Sequence, residues 1–149
     1  MKKFFLTAII LLFGEICVGA DEGQVDRLVN EKVCLSCNLS GASLAGKNLM
    51  NVNLSGANLS GADLSGAILV GADLSNVDLT NAKLIGTVLV GANLSRANLA
   101  GADLLQADLK RADVSGAVFR KANLTKAVLT GVILTGDSLM EAIMDRVTP

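Results

Sequence analysis

Cys34-Leu35-Ser36-Cys37 is the one local motif whose spacing points to chemistry. A CxxC pair closes as a disulfide or, where its thiol pKa is lowered, cycles as a redox couple. A zinc site needs two more ligands. The chain has no His, and its third cysteine, Cys17, lies in a leader expected to be removed. The absence of His, Tyr and Trp also removes the commonest general base and the usual Ser-His arrangement. Serines are plentiful, but they recur at one fixed place in a pattern, and nothing singles out a Ser-Lys pair. No catalytic, cofactor or metal site is therefore expected. The Cys34/Cys37 pair is expected to be a structural disulfide, with a redox-active pair as the alternative.

That pattern dominates the chain. Residues 37–136 repeat every five, as in Gly56-Ala57-Asn58-Leu59-Ser60 and Gly61-Ala62-Asp63-Leu64-Ser65. Centring each unit on its large apolar residue gives 20 units from Leu39 to Leu134, all Leu except Val114 and Phe119. Ala stands two residues before most centres, Asn or Asp one before, and Gly two after. On a helix, centres five apart rotate by roughly 140° each step, so no face collects the leucines. On a straight strand an odd spacing throws them to alternate sides. The chain must bend once per unit, at Gly or at Asn51, Asn76 and Asn81, which tolerate positive φ.

Tandem A(D/N)LSG resembles the pentapeptide-repeat family over about two-thirds of the chain. The resemblance implies an all-β solenoid: a right-handed quadrilateral β-helix with four units per coil, hence five coils. In it the centre and the small residue two before it point inward. A stack of that size would be roughly 24 Å long at a strand spacing of about 4.8 Å. Leu64, Leu74, Leu84 and Leu94 are expected as a fully enclosed core ladder. Residues 20 apart then share a face, so Asp63 and Asp103 flank Lys83, and Asp73 and Asp113 flank Asn93. By ligand type such ladders suit Ca²⁺. The glycine-aspartate nonapeptide of calcium β-rolls is missing, so they read as structural.

At the start, Met1-Lys2-Lys3 precedes an apolar run over residues 4–13 and then Val18-Gly19-Ala20. The run is too short for a membrane span and has the layout of a cleaved Sec-type signal over residues 1–20. The expected destination is the periplasm, the thylakoid lumen if the source is cyanobacterial, or the exterior. The whole chain has 13 basic and 14 acidic residues; losing Lys2, Lys3 and Glu15 leaves a net charge near −2. Near-neutrality argues for neither a nucleic-acid binder nor an acidic mimic of one.

Residues 21–36 read as an N-terminal cap: Val25, Leu28 and Val29 at helical spacing, then the CxxC junction to the first coil. Residues 137–149 read as a C-terminal cap. Ser138 to Glu141 has capping-box spacing, although Leu139 and Met144 also keep the register of a degenerate sixth coil. Helical caps are thus expected at one or both ends. Lys47 places a charge at an inward position and is expected to snorkel past the open first coil.

The function expected from these features is a non-catalytic exported scaffold that binds another protein of unknown identity, without nucleic acid or membrane in the mature form. Met50, Ile68, Val70, Val88 and Val90 fall on one face, where the repeat otherwise places Asn, Asp, Ser or Thr; they are the candidate interface, for a partner or for oligomerisation. The alternative that the family resemblance raises is a DNA-mimicking, topoisomerase-protecting protein. The export signal, the lack of net acidity and the basic residues of the later coils (Arg96, Lys110, Arg111, Arg120, Lys121, Lys126) oppose it. A CxxC redox protein is the remaining alternative.

Overall fold

The computed structural model describes residues 22–135 and 139–149. The expected signal (1–20) and Ser138 of the expected capping box lie outside the described residues. One helix, α1 (Glu22–Glu31), precedes a ladder of parallel bridges, one per five residues, in which each bridged residue pairs with the one 20 positions on, from Val33↔Asn53 to Val128↔Thr148. A register of 20 with a five-residue unit makes four sides per coil. The chain therefore winds as a square stack, each coil hydrogen-bonded to the next.

The unit explains itself atom by atom. The centre donates its N–H to the following coil, as Leu64 N does to Lys83 O (2.8 Å), while the residue before it donates to the preceding coil, as Asp63 N does to Ala42 O (2.9 Å). Two residues after the centre the backbone turns with φ near +60°: Gly61 at 65°, Gly91 at 64°, Asn76 at 55°. The next residue closes the turn by donating to the centre's carbonyl, as Ala67 N does to Leu64 O (2.9 Å). That residue faces inward, so it must be small, and its Ala side chains are buried along the stack. Leu64, Leu74, Leu84 and Leu94 are at most 1% exposed. Phe119 fills a leucine slot and is also buried.

Thr87 takes an inward Ala position and is the one buried polar residue among those described; its hydroxyl donates to Leu64 O at 2.8 Å, which removes the burial cost. Lys47, in the same column, is exposed. At the first coil the ammonium has a way out.

Helix α1 closes that end by setting Leu28 on the first coil, fully buried, with Val25 and Val29 partly buried beside it. Its packing also covers Leu39 completely. Leu39 is thus enclosed like an interior leucine. The bridge register starts at Val33, so Cys34 to Cys37 forms part of the first coil rather than a junction ahead of it.

At the other end no helix forms over residues 139–146. Ile143 bridges Asn123, Thr148 bridges Val128, and Glu141 and Arg146 hold the positive φ of corner residues. Of the two readings of this segment, the part-coil is the one seen. Five-residue spacing of Leu139 and Met144 wins because the Ile143 and Thr148 N–H groups, and the Glu141, Ile143, Asp145 and Thr148 carbonyls, all bond to the coil below. No described coil stacks over this layer. Leu134 is 48% exposed and Met144 43%, while Leu139 is half-buried.

Candidate interaction face

The residue before each centre projects outward, and its side chain has a task that composition conceals. Asn and Asp there accept a hydrogen bond from the backbone N–H two residues on: Ser60 N to Asn58 Oδ1 at 2.9 Å, Ser65 N to Asp63 Oδ1 at 3.0 Å, Ser95 N to Asn93 Oδ1 at 3.0 Å. This N–H lies on the outer side of the turn and has no partner in the next coil. Asx-type bonding satisfies it locally, which is why these two residue types fill the position.

The carboxylates are engaged in that way. Hydrogen bonds from the Ser65 backbone N–H and hydroxyl, with the charge of Lys83 adding to them, hold Asp63 below its usual value; burial opposes them. For Asp113 the Ser115 hydroxyl leads and the Ser115 N–H follows. Asp63, Lys83 and Asp103 do stack in one column. No ion pair joins them among the described residues. Asp103 instead receives Asn123 Nδ2 at 2.9 Å, and Asp73 receives Asn93 Nδ2 at 3.2 Å. No described group of three acidic or Cys side chains is placed to hold a metal ion.

Cys34 and Cys37 are bonded, with Cα atoms 5.5 Å apart across the first corner of the first coil. Cys34 is buried and Cys37 half-buried. The segment still bonds to the next coil, Cys34 N to Asn53 O at 2.8 Å and Ser36 N to Ser55 O at 3.1 Å.

The side centred on Leu49, Leu69, Leu89, Leu109 and Leu129 departs from the rule. It brings the five predicted interface residues together: Asn48↔Ile68↔Val88↔Asp108 run up one column, with Met50, Val70 and Val90 up the next. Met50 is 41% exposed, whereas Ile68, Val70, Val88 and Val90 are half-buried, because column neighbours cover part of each side chain. The patch is flatter than its composition suggests. Ile68 and Val88 carry no acceptor, so the N–H groups of Val70 and Val90 donate no Asx bond. On the same side Met50 N and Lys110 N, beside Asn48 and Asp108, are each bonded. Reading the sequence found the apolar column but missed the open amides, which the chain signals only by where Asn and Asp are lacking.

The corners also change along the stack. From Gly41 to Gly91 every corner is Gly or Asn; beyond them stand Arg96, Gln106, Arg111, Lys121 and Lys126, all in the left-handed region. That conformation costs a side-chain-bearing residue about 1 kcal/mol or more. Arg96 and Arg111 run along their corners, their Cγ atoms passing close over Gly116 and Gly131.

Sequence and structure comparisons agree on what this architecture is. The family described as pentapeptide repeats matches residues 35–71, 72–111 and 97–136, in eight copies. A pentapeptide-repeat protein of the Arabidopsis thaliana thylakoid lumen is 31% identical, with 80% of this chain and 79% of that one covered and a TM-score of 0.66. Rfr23 of the cyanobacterium Cyanothece 51142 is 32% identical over 85% of this chain and 93% of its own, TM-score 0.53. QnrB1, a plasmid-mediated fluoroquinolone resistance protein, shares the fold at 16% identity, 74% and 68% coverage and TM-score 0.57. A comparison with curated proteins gives no match. The architecture is a right-handed quadrilateral β-helix, and the chain belongs to the pentapeptide-repeat family.

Proposed function

We propose that this chain is a non-catalytic, exported scaffold that binds another protein through the side carrying Met50, Ile68, Val70, Val88 and Val90. One observation carries the reading: two adjacent coils exchange the hydrogen-bonding Asn or Asp for Ile68 and Val88, leaving the Val70 and Val90 amides open. A stack that only had to close its coils would keep Asn or Asp there, as most units of the neighbouring sides do, Ser43, Lys83 and Ile133 excepted. A flat apolar patch edged by polar groups is the usual composition of a docking surface. Export is supported by the signal-type leader, by the paired cysteines and by the lumenal residence of the Arabidopsis relative.

The test replaces Ile68 and Val88 with Thr and Val70 and Val90 with Ser, then compares oligomeric size and capture of partners from the exported fraction by the mature chain. Loss of capture with the thermal transition retained is expected. A folded variant that captures the same proteins at the same size removes this side from consideration. DNA mimicry is disfavoured, because the later corners bear Arg and Lys rather than a phosphate-like row of carboxylates. Unchanged gyrase supercoiling at saturating protein is the corresponding expectation.

A further inference from the structure

We infer that the partner element on this side is acidic: a protein segment that sets apolar side chains against Ile68 and Val88 and carboxylates against the cations and open amides around them. The inference rests on the docking role proposed above and adds the chemistry of what docks.

Three observations point the same way. First, the side and its two bounding corners carry Lys110, Arg111, Lys126 and Arg146 against one carboxylate, Asp108. The neighbouring side centred on Leu64, with its corners, balances four cations with four acids. The positive excess therefore coincides with the apolar columns, on a chain whose overall net charge is −1.

Second, two of these four cations, both at the corners, are available. Lys110 pairs with Asp108 at 3.2 Å and Arg146 lies 3.9 Å from Asp145. Arg111 and Lys126 form no ion pair among the described residues, and both are exposed. They stand at opposite corners of the side. Because Arg111 runs toward Gly131, it reaches the level of the coil that Lys126 enters. Both hold left-handed backbone, φ 58° and 59°, in corner columns that the first three coils fill with Gly or Asn, Gln106 standing directly below Lys126. A charge kept where the backbone disfavours it suggests selection for the charge.

Third, among the described residues the amides of Val70 and Val90 have no acceptor, and neither does that of Thr130 beside Val128. On the other sides most of the equivalent N–H groups donate to a carboxylate or amide oxygen from their own chain, as at Ser65 and Ser75, with Ala45, Ile85 and Arg120 as exceptions. An acidic partner supplies that oxygen from outside. Apolar contact, donated N–H bonds and cationic rim then act on one segment. An anionic lipid surface fits less well: the apolar residues are half-buried in a flat sheet and do not project into acyl chains.

The experiment measures binding of a labelled synthetic peptide of alternating Val and Glu to the mature protein, beside a Val/Lys peptide and vesicles containing phosphatidylglycerol. Two double variants accompany it. Ile68→Asn with Val88→Asn installs the repeat's own residue, so folding is kept while the patch and open amides are removed. Arg111→Glu with Lys126→Glu reverses the rim; Glu141 already holds this corner conformation. The Val/Glu peptide is expected to bind and the Val/Lys peptide not to. Binding should weaken several-fold as salt rises from about 0.05 M to about 0.5 M, where screening shortens to a few ångströms. Rim reversal should weaken it about tenfold or more, as loss of complementary charge implies, and the Asn pair should abolish it. Salt-independent binding that survives rim reversal but not the Asn pair overturns the acidic partner and leaves the docking side standing. Peptide binding unchanged by the Asn pair overturns the docking side itself. Vesicle binding without Val/Glu binding, or equal binding of both peptides, also overturns the proposal.

Discussion

Asn51 Oδ1 lies 2.6 Å from the point where a Cβ on Gly71 would sit. The two residues occupy the same corner in successive coils, with φ of 54° and 64°. At this corner the Asn51 side chain takes up space that the missing Cβ of Gly71 leaves open.

That pairing separates two costs of the same substitution. Gly91→Ala, in the same column with nothing within 4 Å, should cost only the left-handed penalty, about 1 kcal/mol. Gly71→Ala should cost more, because Asn51 must also rotate away. In the double variant Asn51→Gly/Gly71→Ala the excess should vanish. Urea unfolding of the four proteins measures it as a double-mutant cycle. Equal costs for the two alanine variants would show that the Asn51 contact carries no energy.

Truncation of the core ladder reads the nesting of coils. Leu64→Ala and Leu84→Ala should each cost roughly 2–5 kcal/mol, since both side chains are fully enclosed. Leu39→Ala should cost as much, because Leu28 of α1 covers it as a further coil would. Leu134→Ala, half-exposed already, should cost well under half of that. A mild Leu39→Ala would show that α1 does not hold its place in solution.

The leucine centres, inward alanines and apolar columns were legible because side-chain size and a five-residue period suffice to place them. The Asx bond was not. It depends on which way a backbone N–H points after Asp63 or Asn93, and residue types alone do not give that direction. Lys47 and Thr87 show the same limit. Both break the small-residue rule in one column, yet one escapes at the end of the stack while the other is buried and bonded to Leu64 O. Residues 139–149 were ambiguous for a third reason. Ser138 to Glu141 satisfies a local helix-start pattern, while the bridges of Ile143 and Thr148 depend on neighbours 20 residues away.

Acid should loosen the outer turns. The Asp63 and Asp113 carboxyls are held below the usual value of 3.8 by bonds from Ser65 and Ser115. A depressed folded-state pKa contributes stability that is fully present above the unfolded value and is lost as pH falls from about 4 through the lower folded value. Both groups remain partly open to solvent, so the effect should be small. Asp63→Asn/Asp113→Asn keeps the acceptor, as Asn58 and Asn93 do, and should match the native protein at pH 7 while losing less stability between about pH 5 and pH 2. Identical acid profiles, measured by thermal unfolding, would rule out these two turns as the source.

The corner cations provide the last prediction. Arg96, Arg111, Lys121 and Lys126 hold φ between 58° and 59°, where Gly has no Cβ penalty. Against that gain stands the entropy glycine adds to the unfolded chain, and the packing of the Arg96 and Arg111 stems over Gly116 and Gly131. The lysines are exposed, and the next coil sets Glu141 and Arg146 over them in place of glycine. Lys121→Gly and Lys126→Gly should therefore stabilise by a few tenths to about 1 kcal/mol, and the arginine substitutions by less. Lys126→Gly should at the same time weaken the acidic peptide, whereas Lys121→Gly, at a corner that does not border the docking side, should leave it unchanged. A stability gain at both positions with a binding loss at Lys126 alone would separate what the corner costs the fold from what its charge supplies. If Lys121→Gly weakened the peptide as much, the charge would act through the net field of the protein and not through this side.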